Sequence, residues 1–342
     1  MHNHISKQQV LGFRQQVVRD LAWSLWGPAL LIHSAPYNEE LKGEELKGEE
    51  LKGEELNNKT NKLATIPYFP LDMVWLQQLD QQPEVLLSYI EHKNTRLLGT
   101  YFEALWQFYF SHHSNFQYCL CNLQVNDSTR TVGEFDVLVS NKQAQNFHIE
   151  LTCKFYLEWQ DALQENLWIG PNCSDRLDIK YHKTHAHQLP LLNTELGQKA
   201  CIEHTFNIDN VKQLAIWRGT SFHRSHWFRA REWESESTLK ELKFDDQILW
   251  LIADKSLWLS PVTQERAVLK TYTQINQQIS DHFQSTIIPK KHYTLMLIAL
   301  AFNKSDRQWQ QQQRFFITAN NWPYGKWADS ALTPLLPCKP PL

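Results

Sequence analysis

Apolar residues recur at helical spacing near the start of the chain. Val10, Phe13, Val17, Leu21 and Leu25 line one side of residues 5–33, with Arg14 and Asp20 between them, and Pro28 and Pro36 bracket the end. Residues 71–90 carry a second helical pattern. Residues 96–112, RLLGTYFEALWQFYFSH, carry a third, with Leu98, Tyr101, Phe102, Leu105, Trp106 and Tyr109 on a broad apolar face. The period then shortens to two. Strands are predicted over about 116–125, 132–140 and 147–157. Pro171 and Asn172 mark a turn, and Asp175–Leu191 reads as a helix stopped near Pro190. Beyond residue 200 the pattern becomes mixed strands. Gln247–Pro261 reads as strand, turn and strand, and HYTLMLIALAF and RFFITA as two more. Helix, three strands, helix and further strands make an α/β or α+β protein.

The divisions follow this pattern. Residues 1–36 are an N-terminal helical region, 63–200 the core, and 201–342 a strand-rich C-terminal extension packed on it. Between them, residues 37–62 hold EELKG three times from Glu39 to Gly53, with a decayed unit at Glu54–Asn58. A period of five fits neither a helix nor a strand, and each glycine weakens a helix by about 1 kcal/mol. We read the insert as a surface loop expanded by duplication.

Composition excludes several chemistries. Among 342 residues only 11 are glycine, and no G-x-G-x-x-G, G-x-x-x-x-G-K-[ST] or G-x-S-x-G occurs. Any phosphate recognition must therefore use side chains or metal. The apolar stretch Leu21–Ile32 is too short to span a bilayer, so no membrane partner is expected. Six cysteines without a C-x-x-C fit reduced thiols in a cytoplasmic protein, with Cys119 and Cys121 on one side of a strand. Charge shifts in meaning once the repeat is separated. Residues 39–58 hold eight glutamates against three lysines, a net −5, so the rest carries +2 of the total −3. That body does not argue against a polyanionic substrate.

The informative chemistry lies in GEFDVLVSNKQAQNFHIELTCKFYL, Gly133–Leu157. Alternation places Glu134 and Asp136 on one face of the first strand, and Glu150, Thr152 and Lys154 on one face of the second. Pairing as a hairpin brings Asp136 and Glu150 together, with Lys154 beside them. Acids and a lysine among Phe147, Ile149, Leu151, Phe155 and Leu157 are costly unless paired or metal-bound. A hard divalent ion, Mg²⁺ or Mn²⁺, provides that compensation.

This stretch resembles the catalytic hairpin of the PD-(D/E)XK nuclease superfamily, whose restriction-endonuclease-like core is αβββαβ. The chain also resembles a bacterial family of unknown function assigned to that superfamily, through VRDLAWSLWGP (Val18–Pro28), LLGTYFEALW (Leu97–Trp106), GEFDVLV, HIELTCKFYL and WIGPNCSDRLDIK (Trp168–Lys180). The resemblance implies a Mg- or Mn-dependent nuclease, endonuclease or exonuclease, acting on nucleic acid, with DNA favoured over RNA. It implies Asp136 as central metal ligand, Glu150 as second acid, the Leu151 carbonyl as a third ligand, Glu103 as an extra acid and Lys154 as catalytic lysine. The sequence departs from the pattern at one point. Thr152 stands where the lysine belongs, and Lys154 lies roughly 6.6 Å further along the strand. That departure also fits a degenerate fold that binds nucleic acid or protein without cleaving it.

Other features carry weaker expectations. Glu134 suits a rim charge. Asp175 and Asp178 suit a helix start, with Lys180 or Gln188 turned toward the site. His182, His185 and His187 have no zinc pattern around them. Ser221–Trp233 interleaves Arg224, Arg229 and Arg231 with Trp227, a combination that can hold phosphates and stack bases.

Overall fold

The computed structural model describes residues 4–30, 69–93, 95–159, 168–233, 247–284 and 294–325. The EELKG insert and Cys338 lie outside them.

The N-terminal helical region is two helices, α1 (Lys7–Leu11) and α2 (Gln16–Trp26). The break has a local cause. Gly12 ends α1, and the Asp80 carboxylate accepts the Arg14 and Gln15 N–H groups at the start of α2. The pattern over 71–90 likewise splits at Pro83, into α3 (Met73–Gln81) and α4 (Glu84–His92). The third helix is α5 (Leu98–His112). Strands β1 (Phe116–Asn126), β2 (Thr131–Asn141) and β3 (Asn146–Glu158) follow as an antiparallel meander.

After the short β4 (Trp168–Ile169) comes a continuous helical run in three geometries. It is α6 (Leu177–Lys183), a π-helical turn (Thr184–Gln188) and a 3₁₀ segment (Leu189–Asn193). Pro190 does not stop it. The proline sits in the first turn of the 3₁₀ segment, where its missing N–H is tolerated. Then come α7 (Glu195–Glu203) and β5 (Lys212–Phe222). Strand β5 pairs in parallel with β3 along eleven positions, from Phe147↔Lys212 to Leu157↔Phe222. The first sheet therefore extends past residue 200, where the sequence pattern places a boundary.

The second sheet has the order β6-β10-β9-β7, with β8 on β10. Its elements are β6 (Trp227–Arg229), the short helix α8 (Ala230–Trp233), β7 (Leu249–Ala253), β8 (Thr263–Gln264), β9 (Thr294–Asn303) and β10 (Gln308–Thr318). The second strand expected before Pro261 is a 3₁₀ turn instead, Lys255–Leu257. Helix α9 (Tyr272–Gln284) was not expected among the C-terminal strands. Its pattern is faint because only Ile275 and Ile279 are buried within it.

Apolar burial explains the layering. Helices α1, α2 and α5 pack on β2 and β3 through Val17, Leu21, Leu25, Trp106, Tyr109, Val137, Val139, Ile149 and Leu151. The opposite face of the first sheet packs on the 3₁₀ segment and α7, through Leu123, Val125, Phe135, Leu138, Leu191 and Cys201. Between the two sheets lie Phe155, Leu157 and Phe222 against Met296, Ile298, Leu300 and Phe316. The alternate residues Leu297 and Ala299 face Ile275 and Ile279. Strand β9 is apolar from Leu295 to Leu300 because both of its faces are covered there.

Candidate active site

Strands β2 and β3 pair only from Ser140↔Asn146 to Val137↔Ile149. Beyond that point β2 continues with β1, through Leu123↔Phe135 to Asn126↔Thr131, and β3 continues with β5. The sheet forks. Asp136 and Glu150 are the first residues past the last pair. The Leu151 N–H, left without a strand partner on that side, donates to Asp136 Oδ2 at 2.8 Å. Glu150 lies near enough for its charge to act on Asp136.

Strict alternation breaks down here. Cys121 and Val137 pack on the α5 side, whereas Leu123 and Phe135, each two residues away, pack on the opposite side. The exchange is centred on Asn122, whose φ is +54°, and on Asp136 across from it. A left-handed residue turns the strand over, and asparagine tolerates that conformation. Glu134 consequently meets the α5 side. Asn122 Nδ2 donates to its carboxylate at 3.2 Å, and Gln107 of α5 donates to Asn122 Oδ1 at 2.6 Å. Glu103 lies one turn before Gln107 on α5 and is half-buried.

Three acids at the fork bind protons unusually well. Burial first, then the charges of Asp136 and Glu134, push Glu103 up to about 7. Burial and the charge of Glu150 push Asp136 up to about 7, against the pull of the Leu151 N–H. Burial pushes Glu150 up to about 7, against the pull of the Lys180 ammonium. Lys180 lowers all three acids, and burial lowers its own pKa.

The lysine expected to serve the acids does not reach them. Lys154 pairs with Asp175, whose carboxylate lies so close to Gly170 that a Cβ there would overlap it. Thr152 is buried at 4% exposure on the same strand. Lys180 stands nearer the site. Its Nζ donates to Gln188 Oε1 at 3.1 Å, and Gln188 Nε2 donates to Glu150 Oε2 at 2.6 Å. The π-helical turn supplies Gln188, and such turns recur at functional sites.

One site residue escaped the sequence reading. His148 is fully buried, and burial pushes it down to about 4, so it is neutral. Its Nδ1 accepts from Gln213 Nε2 at 3.4 Å, which leaves Nε2–H to donate to Glu150 Oε1 at 2.9 Å. Its signal was its place two residues before Glu150 on an otherwise apolar strand.

The arginine-aromatic segment is internally committed. Trp227 is 1% exposed, donates to the Glu158 carbonyl and packs on Trp322, so it is not available to stack a base. Arg224 and Arg229 both pair with Glu232, and Arg224 lies 4.2 Å over the Trp227 ring. Arg231 is exposed.

Hard oxygen donors dominate the fork, and their charge is compensated chiefly by one lysine. That donor chemistry suits Mg²⁺ or Mn²⁺. Among the described residues no three His, Cys, Asp or Glu side chains are already gathered as a metal cluster. The acids are turned instead to the Leu151 N–H, His148 and Gln188.

The fold and site define a mixed α+β protein with, among the described residues, two five-stranded sheets and a carboxylate-lined fork in the first. The model of a family described as a domain of unknown function, DUF1853, matches residues 19–318, and the chain belongs to that family. Neither the curated proteins nor the solved structures returned a match. No helix among the described residues is long and apolar enough to cross a membrane.

Proposed function

We propose that the protein is a divalent-metal-dependent nuclease that hydrolyses phosphodiester bonds of nucleic acid, with DNA as the favoured substrate. The observation that carries this reading is the meeting of Asp136 and Glu150 at the fork, with Glu103 and Lys180 in electrostatic range. The order α5, β1–β3, helical run and β5, with β5 parallel to β3, supports a restriction-endonuclease-like αβββαβ core.

Asp136 and Glu150 would hold Mg²⁺ or Mn²⁺, with Glu103 completing the acidic set. The bound ion supplies charge neutralisation at phosphorus and a more acidic water. Lys180 takes the role that the superfamily pattern gives to the strand lysine. It is the amine tied through Gln188 to Glu150, and it stabilises charge developing on the phosphate. Lys154 and Lys183 lie within electrostatic range of Lys180 and give the polyanion a positive approach. Glu150 is oriented from both sides, by His148 on Oε1 and by Gln188 on Oε2.

A second reading has one observation in its favour. Thr152 occupies the usual lysine position and Lys154 is tied to Asp175, as in a nuclease-like fold that binds nucleic acid or protein without cleaving it. Both readings are tested together. Cleavage of single-stranded, flapped and duplex DNA, and of RNA, is measured with Mg²⁺ and Mn²⁺, alongside calorimetric Mn²⁺ binding. The nuclease reading expects cleavage abolished by Asp136→Ala and Glu150→Ala. Cleavage unchanged in these variants, or never above background, overturns it. Absence of carboxylate-dependent Mn²⁺ binding points to the binding module.

A further inference from the structure

Beside the fork, on the strand that flanks it, two thiols face each other on β1. Cys119 and Cys121 stand two residues apart on one side of the strand, with their Sγ atoms 3.4 Å from each other. Both are free and half-buried. The Lys93 ammonium, just past the end of α4, lies in electrostatic range of both sulfurs. Tyr89 lies close to both sulfurs. The two thiols share one S–H···S contact, in which either sulfur can be the donor. By contrast, burial pushes Cys153, Cys173 and Cys201 up, which makes them poor nucleophiles.

We propose that Cys119 and Cys121 form a thiol-redox site that hydrogen peroxide oxidises to an intrastrand disulfide, one sulfur acting as nucleophile and its neighbour as resolving thiol. One sulfur, as thiolate, attacks one oxygen of hydrogen peroxide. An S–O bond forms, the O–O bond breaks, and the departing hydroxide takes up the proton that this thiol released, to become water. The second sulfur then attacks the sulfenic sulfur. The S–S bond forms, the S–O bond breaks, and hydroxide leaves with the second thiol's proton as a second water. Two thiols have given up two electrons and two protons, and the peroxide has become two waters. The sulfurs need only close from 3.4 Å to about 2.05 Å. Alternate residues of a strand lie about 6.8 Å apart at Cα, the long end of the disulfide range. The bond is therefore strained and readily reversed by thiols.

The full chain, reduced and freed of reductant, tests this. It is treated with increasing hydrogen peroxide, alkylated, digested without reduction and read by peptide mass spectrometry. The peptide carrying Cys119 and Cys121 is expected to lose two hydrogen atoms and escape alkylation, at peroxide doses that leave Cys153, Cys173 and Cys201 alkylated. Dithiothreitol restores both alkylation sites. In Cys121→Ser or Cys119→Ser the disulfide cannot form, and dimedone traps a sulfenic acid at the remaining thiol. If either sulfur in the native sequence accumulates as a dimedone adduct without an internal disulfide, or the pair oxidises no earlier than Cys173, the proposal is overturned. The native-sequence measurement needs no variant to fold.

Discussion

Glu150 has a donor on each oxygen, and the donors come from different elements. His148 reaches it along its own strand, and Gln188 reaches it from the π-helical turn. A carboxylate held this way keeps one rotamer, as a positioned acid requires. Substituting Gln188 by Ala releases Oε2 and cuts the link to Lys180, so Mn²⁺ affinity is expected to fall by roughly 10-fold or more, read by calorimetry. The two lysines separate cleanly. Lys180→Ala removes the positive charge that lowers Glu103, Asp136 and Glu150, so all three are expected to titrate at still higher pH by ¹³C carboxyl NMR, with loss of cleavage. Lys154→Ala leaves those titrations in place, because its ammonium is paired with Asp175.

Elements meet at two points where a single atom decides the fit. Gly219 lies on β5 opposite Lys154 with φ +117°, and a Cβ there would overlap the Lys154 carbonyl. Gly219→Ala is expected to cost about 3 kcal/mol or more in denaturant unfolding, because the close parallel pairing of β3 and β5 has no room to yield. Arg218, the next residue back, is 3% exposed and donates to the Ser24 and Leu25 carbonyls at the end of α2 and to the Trp217 carbonyl. It saturates carbonyls that helix geometry leaves over. Arg218→Met orphans them, and a loss of about 2–4 kcal/mol is expected in the same measurement. One strand thus binds the N-terminal helix to the sheet that carries the acids.

At the scale of the whole molecule, the N-terminal helices are part of the main core. Val10, Val18, Leu21 and Ala22 are fully buried, and the buried Asp20 accepts from Tyr101 of α5 and from Ser260 beside the second sheet. A chain lacking residues 1–30 is expected to show no cooperative thermal transition by circular dichroism. Stability should also depend on pH in a definite direction. Glu103, Asp136 and Glu150 titrate near 7 when folded and near 4 when unfolded, so they bind more protons folded. Their contribution is complete below the unfolded values and is lost as pH rises through about 7. His148 acts oppositely, between its folded value of about 4 and the ordinary 6.5. The melting temperature is therefore expected to fall from pH 6.5 to 8. Asp136→Asn with Glu150→Gln flattens that slope, and Mn²⁺ raises the melting temperature more at pH 8 than at pH 6.

Local periodicity by itself determined α5 and the extent of the meander β1–β3, because α5 buries a broad apolar face and the three apolar runs have strand length. It also singled out Asp136 and Glu150, since an acid within an apolar strand stands out at any register. What lay beyond it was settled by contacts distant in sequence. Strand β5 exists as the parallel partner of β3, and α9 shows so little apolar surface that only its packing on β9 identifies it. Alternation at β2 failed because one left-handed residue on the neighbouring strand, Asn122, turns both strands over. The choice between Lys154 and Lys180 depended on which carboxylate each ammonium reaches, and strand spacing carries no information about that. Sequence fixes what a residue is and which side of its own element it occupies. The tertiary structure decides which charges meet, because electrostatic compensation is made between elements.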